Sequence, residues 1–289
     1  MMSSYTICTD TACDIKPKML KDWGVECVSL SFTFEGEENR YADNGMDITT
    51  FYQRMRQGEI AKTSAPSPAV FEIDFERILN SGHDILHLSL SGALSATFNA
   101  AQIAAETLRQ RYPERKIVLV DTLSASAGEG MMVYMAVKKK QEGLSIEDNA
   151  AYLESLKPHV CHRFIVDDLV YLKRGGRISP TVAFVGSVLG IKPILYVNSE
   201  GKPLNISKVR GKRAALSKLV EKYGELAINK SEGPIFISHA DCLDGAENLK
   251  ETLEATYGVK VDLITDIGTV LGAHAGPGTV ALFFLGSKR

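Results

Sequence analysis

The chain has 289 residues, with 33 Lys and Arg against 35 Asp and Glu, a net charge of -2 and 45% hydrophobic residues. That is ordinary globular composition, long enough for two modest domains around a sizeable core or an internal cavity. The near-even charge balance supplies no field to draw the protein onto phosphate backbones, which disfavours nucleic-acid binding and leaves at most transient membrane contact.

The N-terminus runs from Met1-Met2-Ser3-Ser4 directly into strand-like Tyr5–Thr9 without a basic or apolar leader, so no secretion signal is expected. Thr9-Asp10-Thr11-Ala12-Cys13-Asp14 follows at the carboxyl end of that strand, where ligands of doubly wound sheets gather. The same Asp and Thr side chains would equally satisfy turn amides or cap a helix beginning near Ile15. A second apolar run, Val25–Phe34, reads as one strand. In Lys62-Thr63-Ser64-Ala65-Pro66-Ser67-Pro68 the two prolines stiffen the backbone, so Thr63 and Ser64 would be held extended while Ser67 and Pro68 open a helix. Such hydroxyls suit a fixed polar contact.

Strand-like Asp84–Ser89 then leads through Leu88-Ser89-Leu90-Ser91-Gly92-Ala93-Leu94-Ser95-Ala96-Thr97 into a helix over Thr97–Arg111. A helix N-terminus offers free N–H groups to an anion, and Ser95 stands at that start either as a cap or as a ligand donor. No G-x-S-x-G surrounds Ser89, Ser91 or Ser95, which weighs against a serine nucleophile. Ile117–Asp121 and the amphipathic stretch Met131–Gln141 continue the α/β rhythm. Uniformly apolar Ile117-Val118-Leu119-Val120 fits a parallel strand buried on both faces.

The pattern changes after Lys157-Pro158, and the expected division is residues 1–158 and 159–289. Strand-like Phe164–Val166 precedes Lys173-Arg174-Gly175-Gly176-Arg177-Ile178-Ser179, whose guanidinium forks suit carboxylate or phosphate but would also pair with Asp167 and Asp168. Next come a helix over Pro180–Leu189, a hairpin of Ile191–Val197 and Leu204–Lys208 turning at Asn198-Ser199-Glu200-Gly201, and a helix over Lys212–Asn229. Strand Pro234–His239, helix Leu243–Tyr257, strand Val259–Ile264 and terminal strand Val280–Leu285 complete the pattern. The uncharged run Ile267–Ser287 is broken by glycines and reads as strand, loop, strand, with His274 in the Gly-rich loop.

Five cysteines without a C-x-x-C pair favour a reduced, cytoplasmic protein. His83 and His87 lack an H-E-x-x-H context and Cys161-His162 has no second pair, so no metal site is expected. Neither a Walker A motif nor G-x-G-x-x-G occurs, so no nucleotide cofactor is expected either.

In this order, Thr9-Asp10-Thr11, Thr63-Ser64-Ala65-Pro66-Ser67-Pro68, Ser89–Thr97, Val166–Ser179, Gly190-Ile191-Lys192-Pro193-Ile194-Leu195, Lys208-Val209-Arg210-Gly211 and the His274 segment resemble the DegV family over nearly the whole chain. Ala65 and Ala96 depart from the residues usual in that family's Thr-Ser and Leu-Ser-Gly-Thr motifs. The resemblance implies an α/β fold of two domains, a doubly wound, mainly parallel sheet followed by a mixed sheet, with a long-chain fatty acid such as palmitate between them. It implies that Thr63 and Ser95, with Ser64, hold the carboxylate, and that His274 and Arg174 or Arg177 lie near it. It further implies a non-catalytic lipid carrier that presents its ligand to a separate ATP-dependent fatty-acid kinase subunit for phospholipid synthesis, with Arg210 a contact for that partner or for the phosphate. An enzyme of the dihydroxyacetone-kinase type, with His274 or His239 holding a carbonyl, is the alternative by fold analogy alone. A serine hydrolase using Ser95 and His274 ranks behind it. Bulky residues such as Phe32, Phe98, Phe184 and Phe284 are candidates for shaping the tunnel.

Overall fold

Strand β1 (Tyr5–Asp10) lies between β2 (Val25–Val28) and β6 (Asp84–Ser89) in the computed structural model, which describes residues 4–178, 190–230 and 233–289. With β7 (Ile117–Asp121) they form a four-stranded, all-parallel sheet in the order β2-β1-β6-β7. Alternate side chains face opposite layers. Ile85 packs with Phe71 and Phe75 of α3 (Pro68–Asn80) and Ala101 and Ala104 of α4 (Thr97–Arg111). Ile7, Leu86 and Leu88 pack on the other face, against α5 (Ala127–Gln141) and α6 (Ile146–Leu156). Helices on both faces make this the doubly wound unit expected of apolar parallel strands.

The second sheet has six strands in the order β10-β9-β8-β13-β11-β12. These are β8 (Val160–Ile165), β9 (Ile191–Val197), β10 (Pro203–Arg210), β11 (Phe236–His239), β12 (Leu263–Asp266) and β13 (Val280–Leu285). Within this sheet only β11 and β12 pair in parallel, so the sheet is mixed. Its outer face is covered by α8 (Lys212–Leu226) and α9 (Leu243–Tyr257) through Leu219, Tyr223 and Leu249. Phe236, Ala281 and Phe283 on the inner face join the core that holds α5. The first half of α5 is therefore buried all round, as a helix between two sheets must be.

A small antiparallel sheet, β4 (Tyr41–Ala42), β3 (Ser31–Phe34) and β5 (Ala61–Ser64), stands beside these with α2 (Ile48–Arg56) and α10 (Thr269–Ala275). Phe32, Phe34, Phe51 and Tyr52 fill its core. Short helices α1 (Pro17–Asp22) and α7 (Val170–Arg174) complete the described α-helices.

Several sequence expectations need correction. The run Val25–Phe34 is two strands in two sheets, because the Leu30 N–H donates to Thr11 Oγ1 and the chain leaves the parallel sheet between them. The Gly-rich stretch around His274 is the helix α10, not a loop. Its N-terminus is capped from a distance, with the Thr269 hydroxyl and the Val270 N–H both donating to Asp43 Oδ1. The penultimate strand sits at Leu263–Asp266 rather than Val259–Ile264, in register with β11 from Phe236 onward. Phe284 packs with Tyr223 on the outer face and Phe32 lies in the small-sheet core, so neither shapes the cavity described below. The helix expected over Pro180–Leu189, Ser179 and Phe184 lie outside the described residues.

Candidate functional site

The prolines of the first hydroxyl motif and the β5 register place Thr63. It pairs with Phe32 on β3, and Ser64 pairs with Ser31 before Pro66 and Pro68 turn the chain into α3. Arg40 donates to Ser64 Oγ at 3.3 Å. Ser95 is set by the tight loop after β6, where the Leu94 and Ser95 amides donate to Ser91 O and the Gly92 amide donates to the Asp121 carboxylate. At the start of α4 the Thr97 N–H donates to Ser95 Oγ, and the Ser95 and Thr97 hydroxyls lie 2.8 Å apart. Ser95 thus takes a capping bond although Ala96 holds the N-cap position.

These segments converge on one cavity of about 260 Å³. Thr63, Ser64, Ser95, His274 and Arg177 all line it, whereas Arg174 and Arg210 do not and are exposed. The Arg174 guanidinium stacks over the Tyr171 ring at 5.8 Å. Arg177 donates through Nε to Leu94 O at 2.9 Å and through a second nitrogen to Gly175 O, tying the 175–177 turn to the Ser95 loop. Asp167, one expected partner of these arginines, instead pairs with Lys192 at 2.7 Å.

Thr63 Oγ1 and His274 Nε2 are hydrogen-bonded at 2.8 Å. Burial, reinforced by the nearby Arg177 charge, pulls the His274 pKa down to about 4, so the imidazole is neutral near pH 7. Its other nitrogen is buried against the backbone of Gly175, where an added methyl group would collide with the ring. Gly272 of α10 and Gly276 just past its end serve similar close approaches, to Tyr52 and Tyr171.

The opposite wall is apolar. On β8, β9 and β13 the residues His162, Phe164, Val197, Ala281 and Phe283 share the inner face and line the cavity, with Leu90 and Leu94 facing them from the parallel-sheet side. None of these wall residues stands in a sequence motif that marks it as a site residue. Their signal is the two-residue alternation along β8, which has no meaning until the sheet is seated on α5.

Below the cavity, the Asp10 motif is structural. Asp10 accepts from the Ala12 amide, the Ser89 hydroxyl and the Leu90 amide, and burial raises its pKa to about 6. Asp14 accepts from Ser126 Oγ at 2.5 Å and the Gly268 amide at 2.8 Å, joining the β1 end to the segment before α10. His239 lies 3.7 Å from Asp266 and does not line the cavity with His274. All five cysteines are free, and no cluster of His, Cys, Asp or Glu suited to a metal ion occurs among the described residues. No described helix is long and apolar enough to cross a membrane.

The family model for DegV proteins matches residues 4–287. A DegV domain-containing protein of Clostridium perfringens is 40% identical, the match covering 100% of this chain and 99% of that protein. Among solved structures, a DegV family protein from Thermus thermophilus, described for its fatty acid binding, superimposes with a TM-score of 0.88 at 31% identity over 99% of this chain and 100% of that one. A stearic-acid-binding protein from Eubacterium ventriosum gives a TM-score of 0.89 at 26% identity, covering 98% of both chains. Sequence match, shared architecture and full-length coverage agree, and the chain belongs to the DegV family.

Proposed function

We propose that this protein binds a long-chain fatty acid in the cavity, with the carboxylate at Thr63 and Ser95 and the tail along the inner face of the mixed sheet. One observation carries the reading. A single cavity joins two positioned hydroxyls, one at the start of a 15-residue helix, to a wall of Phe164, Val197, Ala281 and Phe283. The fatty acids bound by the relatives named above support it.

The proton positions follow from the unpaired nitrogen. A buried N–H without a partner costs more than a buried lone pair, so the His274 proton belongs on Nε2 and is donated to Thr63 Oγ1. Thr63 then keeps its own hydroxyl proton for a carboxylate oxygen. Ser95 Oγ accepts from the Thr97 N–H and lies 2.8 Å from Thr97 Oγ1, where either hydroxyl can donate, so the Ser95 proton is available to a carboxylate with the positive end of the α4 dipole behind it. Arg177 adds a cation at the same end of the cavity.

Affinity and selectivity rest on different groups. An acid of about 16 carbons offers roughly 14 methylenes at about 0.8 kcal/mol each, on the order of 11 kcal/mol before the costs of binding. Each hydroxyl contact adds only about 1 kcal/mol net, so the hydroxyls orient the head group and the apolar wall holds the tail.

The protein has no nucleotide motif, and a carboxylate held by neutral hydroxyls is not thereby activated. We therefore assign it the carrier role, handing its ligand to a separate ATP-dependent kinase subunit in the cytoplasm, with palmitate a suitable cargo and an acyl phosphate for phospholipid synthesis the product. Exposed Lys173, Arg174 and Arg210 are the partner-facing cations in this reading. Isothermal titration of the delipidated protein with palmitate tests the binding step: saturable binding at about one acid per chain supports it, and none refutes it. Charge reversal at Arg210 and Arg174 in a reconstituted phosphorylation assay tests the hand-over, and full activity in both variants removes the assignment.

A further inference from the structure

The apolar wall is built in rows across the mixed sheet. Ala281 of β13 pairs with Phe164 of β8, and Phe283 with His162; Arg163 pairs with Tyr196, which brings Val197 of β9 level with His162. Phe164 packs with Leu172 and Ile178 of the segment that carries Arg177, so its row lies at the head-group end. The row of His162 stands one step deeper, about 6–7 Å further along β8. Val160 and Leu285 form the next pair on the same face, and they do not line the cavity but pack into the core that holds α5. In this direction the cavity closes at His162 and Phe283.

His162 is held on every side. It is 2% exposed and meets the Phe283 ring edge to face, with ring centres 5.3 Å apart and planes at 82°. Nδ1 donates to the Val160 carbonyl at 3.1 Å. The opposite edge is pressed onto the backbone of α5, since a methyl group at Gly128 would collide with Nε2. Burial, then the charge of Arg289, keeps the ring neutral, so a hydrocarbon end meets no charge there. We propose that the His162–Phe283 pair is the end stop of the acyl site and sets the longest chain it accepts. The proposal rests on the fatty-acid reading above and deepens it by naming the residues that select for length. Up to the stop, each added methylene gains apolar contact worth roughly fourfold in affinity. Beyond it, a chain must fold back or displace a close-packed ring, and overpacking of that kind is unfavourable.

The test is competitive displacement of a fluorescent fatty acid from the full-length delipidated protein by the saturated acids from lauric to arachidic. In the native protein, affinity is expected to climb roughly fourfold per methylene and then to stop climbing at one chain length. In His162→Ala, and likewise in Phe283→Ala, that limit moves to acids about two carbons longer, because the truncated side chain leaves space for them. Phe164→Ala, one row nearer the head group, weakens all lengths alike and leaves the limit in place. A cooperative thermal melt reports that each variant is folded, and either end-stop variant alone decides the outcome. An unmoved limit in the folded variants, an equal shift in Phe164→Ala, or a native protein without a limit overturns the end stop while fatty-acid binding stands. If none of the acids binds the native protein, the underlying reading and the proposal fall together.

Discussion

The hydroxyl of Thr63 lies 2.8 Å from Nε2 of His274, joining the last strand of the small sheet to a short helix 211 residues further along the chain. This bond fixes the rotamer of the hydroxyl and decides which proton it offers to the cavity. Thr63→Val keeps the shape of the side chain but removes that hydroxyl and leaves Nε2–H of His274 unpaired. We expect fatty-acid affinity to fall about tenfold and stability to fall by about 1–3 kcal/mol, read by calorimetric titration and thermal melts. Unchanged affinity would remove Thr63 from the head-group site.

Ser95→Ala separates recognition from folding. The variant loses a capping bond from the Thr97 amide, worth about 1 kcal/mol, and the hydroxyl facing the cavity. The expected outcome is weaker binding of the free acid, little change for its methyl ester, and a melting temperature lowered by only a few degrees. Equal losses for acid and ester would mean that the serine acts on the cavity shape and not on the carboxylate.

Gly175→Ala tests the seat of the imidazole. The added methyl group would strike Nδ1 and Cε1 of His274, so either the ring or the 175–177 turn must move. The turn is bound to Leu94 through Arg177, and a shift reaches Ser95 as well. We expect weakened binding together with a changed His274 ring signal in the NMR spectrum; native binding with a native ring signal would show that the contact yields easily.

Glu129 sets a measurable pH dependence. It is buried in α5 with one oxygen accepting from Thr9 Oγ1 and the other without a partner among the described residues, and burial, then the charge of Asp10, holds its pKa well above the ordinary 4.5. Between 4.5 and the raised folded value the native state binds the extra proton, so this group costs stability as pH rises. His274 acts oppositely: its pKa of about 4 lies below the ordinary 6.5, and its contribution is lost as pH falls from 6.5 through 4. Glu129→Gln removes only the first effect. The melting temperature of the variant relative to the native protein should therefore climb from pH 5 to pH 8, and a constant difference would contradict the buried charge.

Much of the fold is legible in the sequence where local pattern and final burial agree. Asp84–Ser89, Ile117–Asp121, Thr97–Arg111 and Leu243–Tyr257 are found with the bounds their patterns predict. The misreadings arise where a distant group finishes the structure. Helix α10 depends on Asp43 for its first turn, and the break between β2 and β3 depends on Thr11. In the cavity, Thr63, Ser95, Arg177 and His274 carry short local motifs and can be picked out one by one. His162 and Phe283 carry none, because an alternating strand shows two faces and only the packing of α5 decides which one meets the cavity.

An acyl chain in the space between the parallel sheet and the mixed sheet is what the proposed function requires. Mass spectrometry of an organic extract of the purified, undelipidated protein addresses it most directly, since a chain held by that much apolar contact survives purification. We expect a long-chain fatty acid in near one-to-one ratio with protein, reduced in extracts of a Thr63→Val, Ser95→Ala double variant. Extracts free of acyl chains, or equally loaded in the double variant, would contradict it.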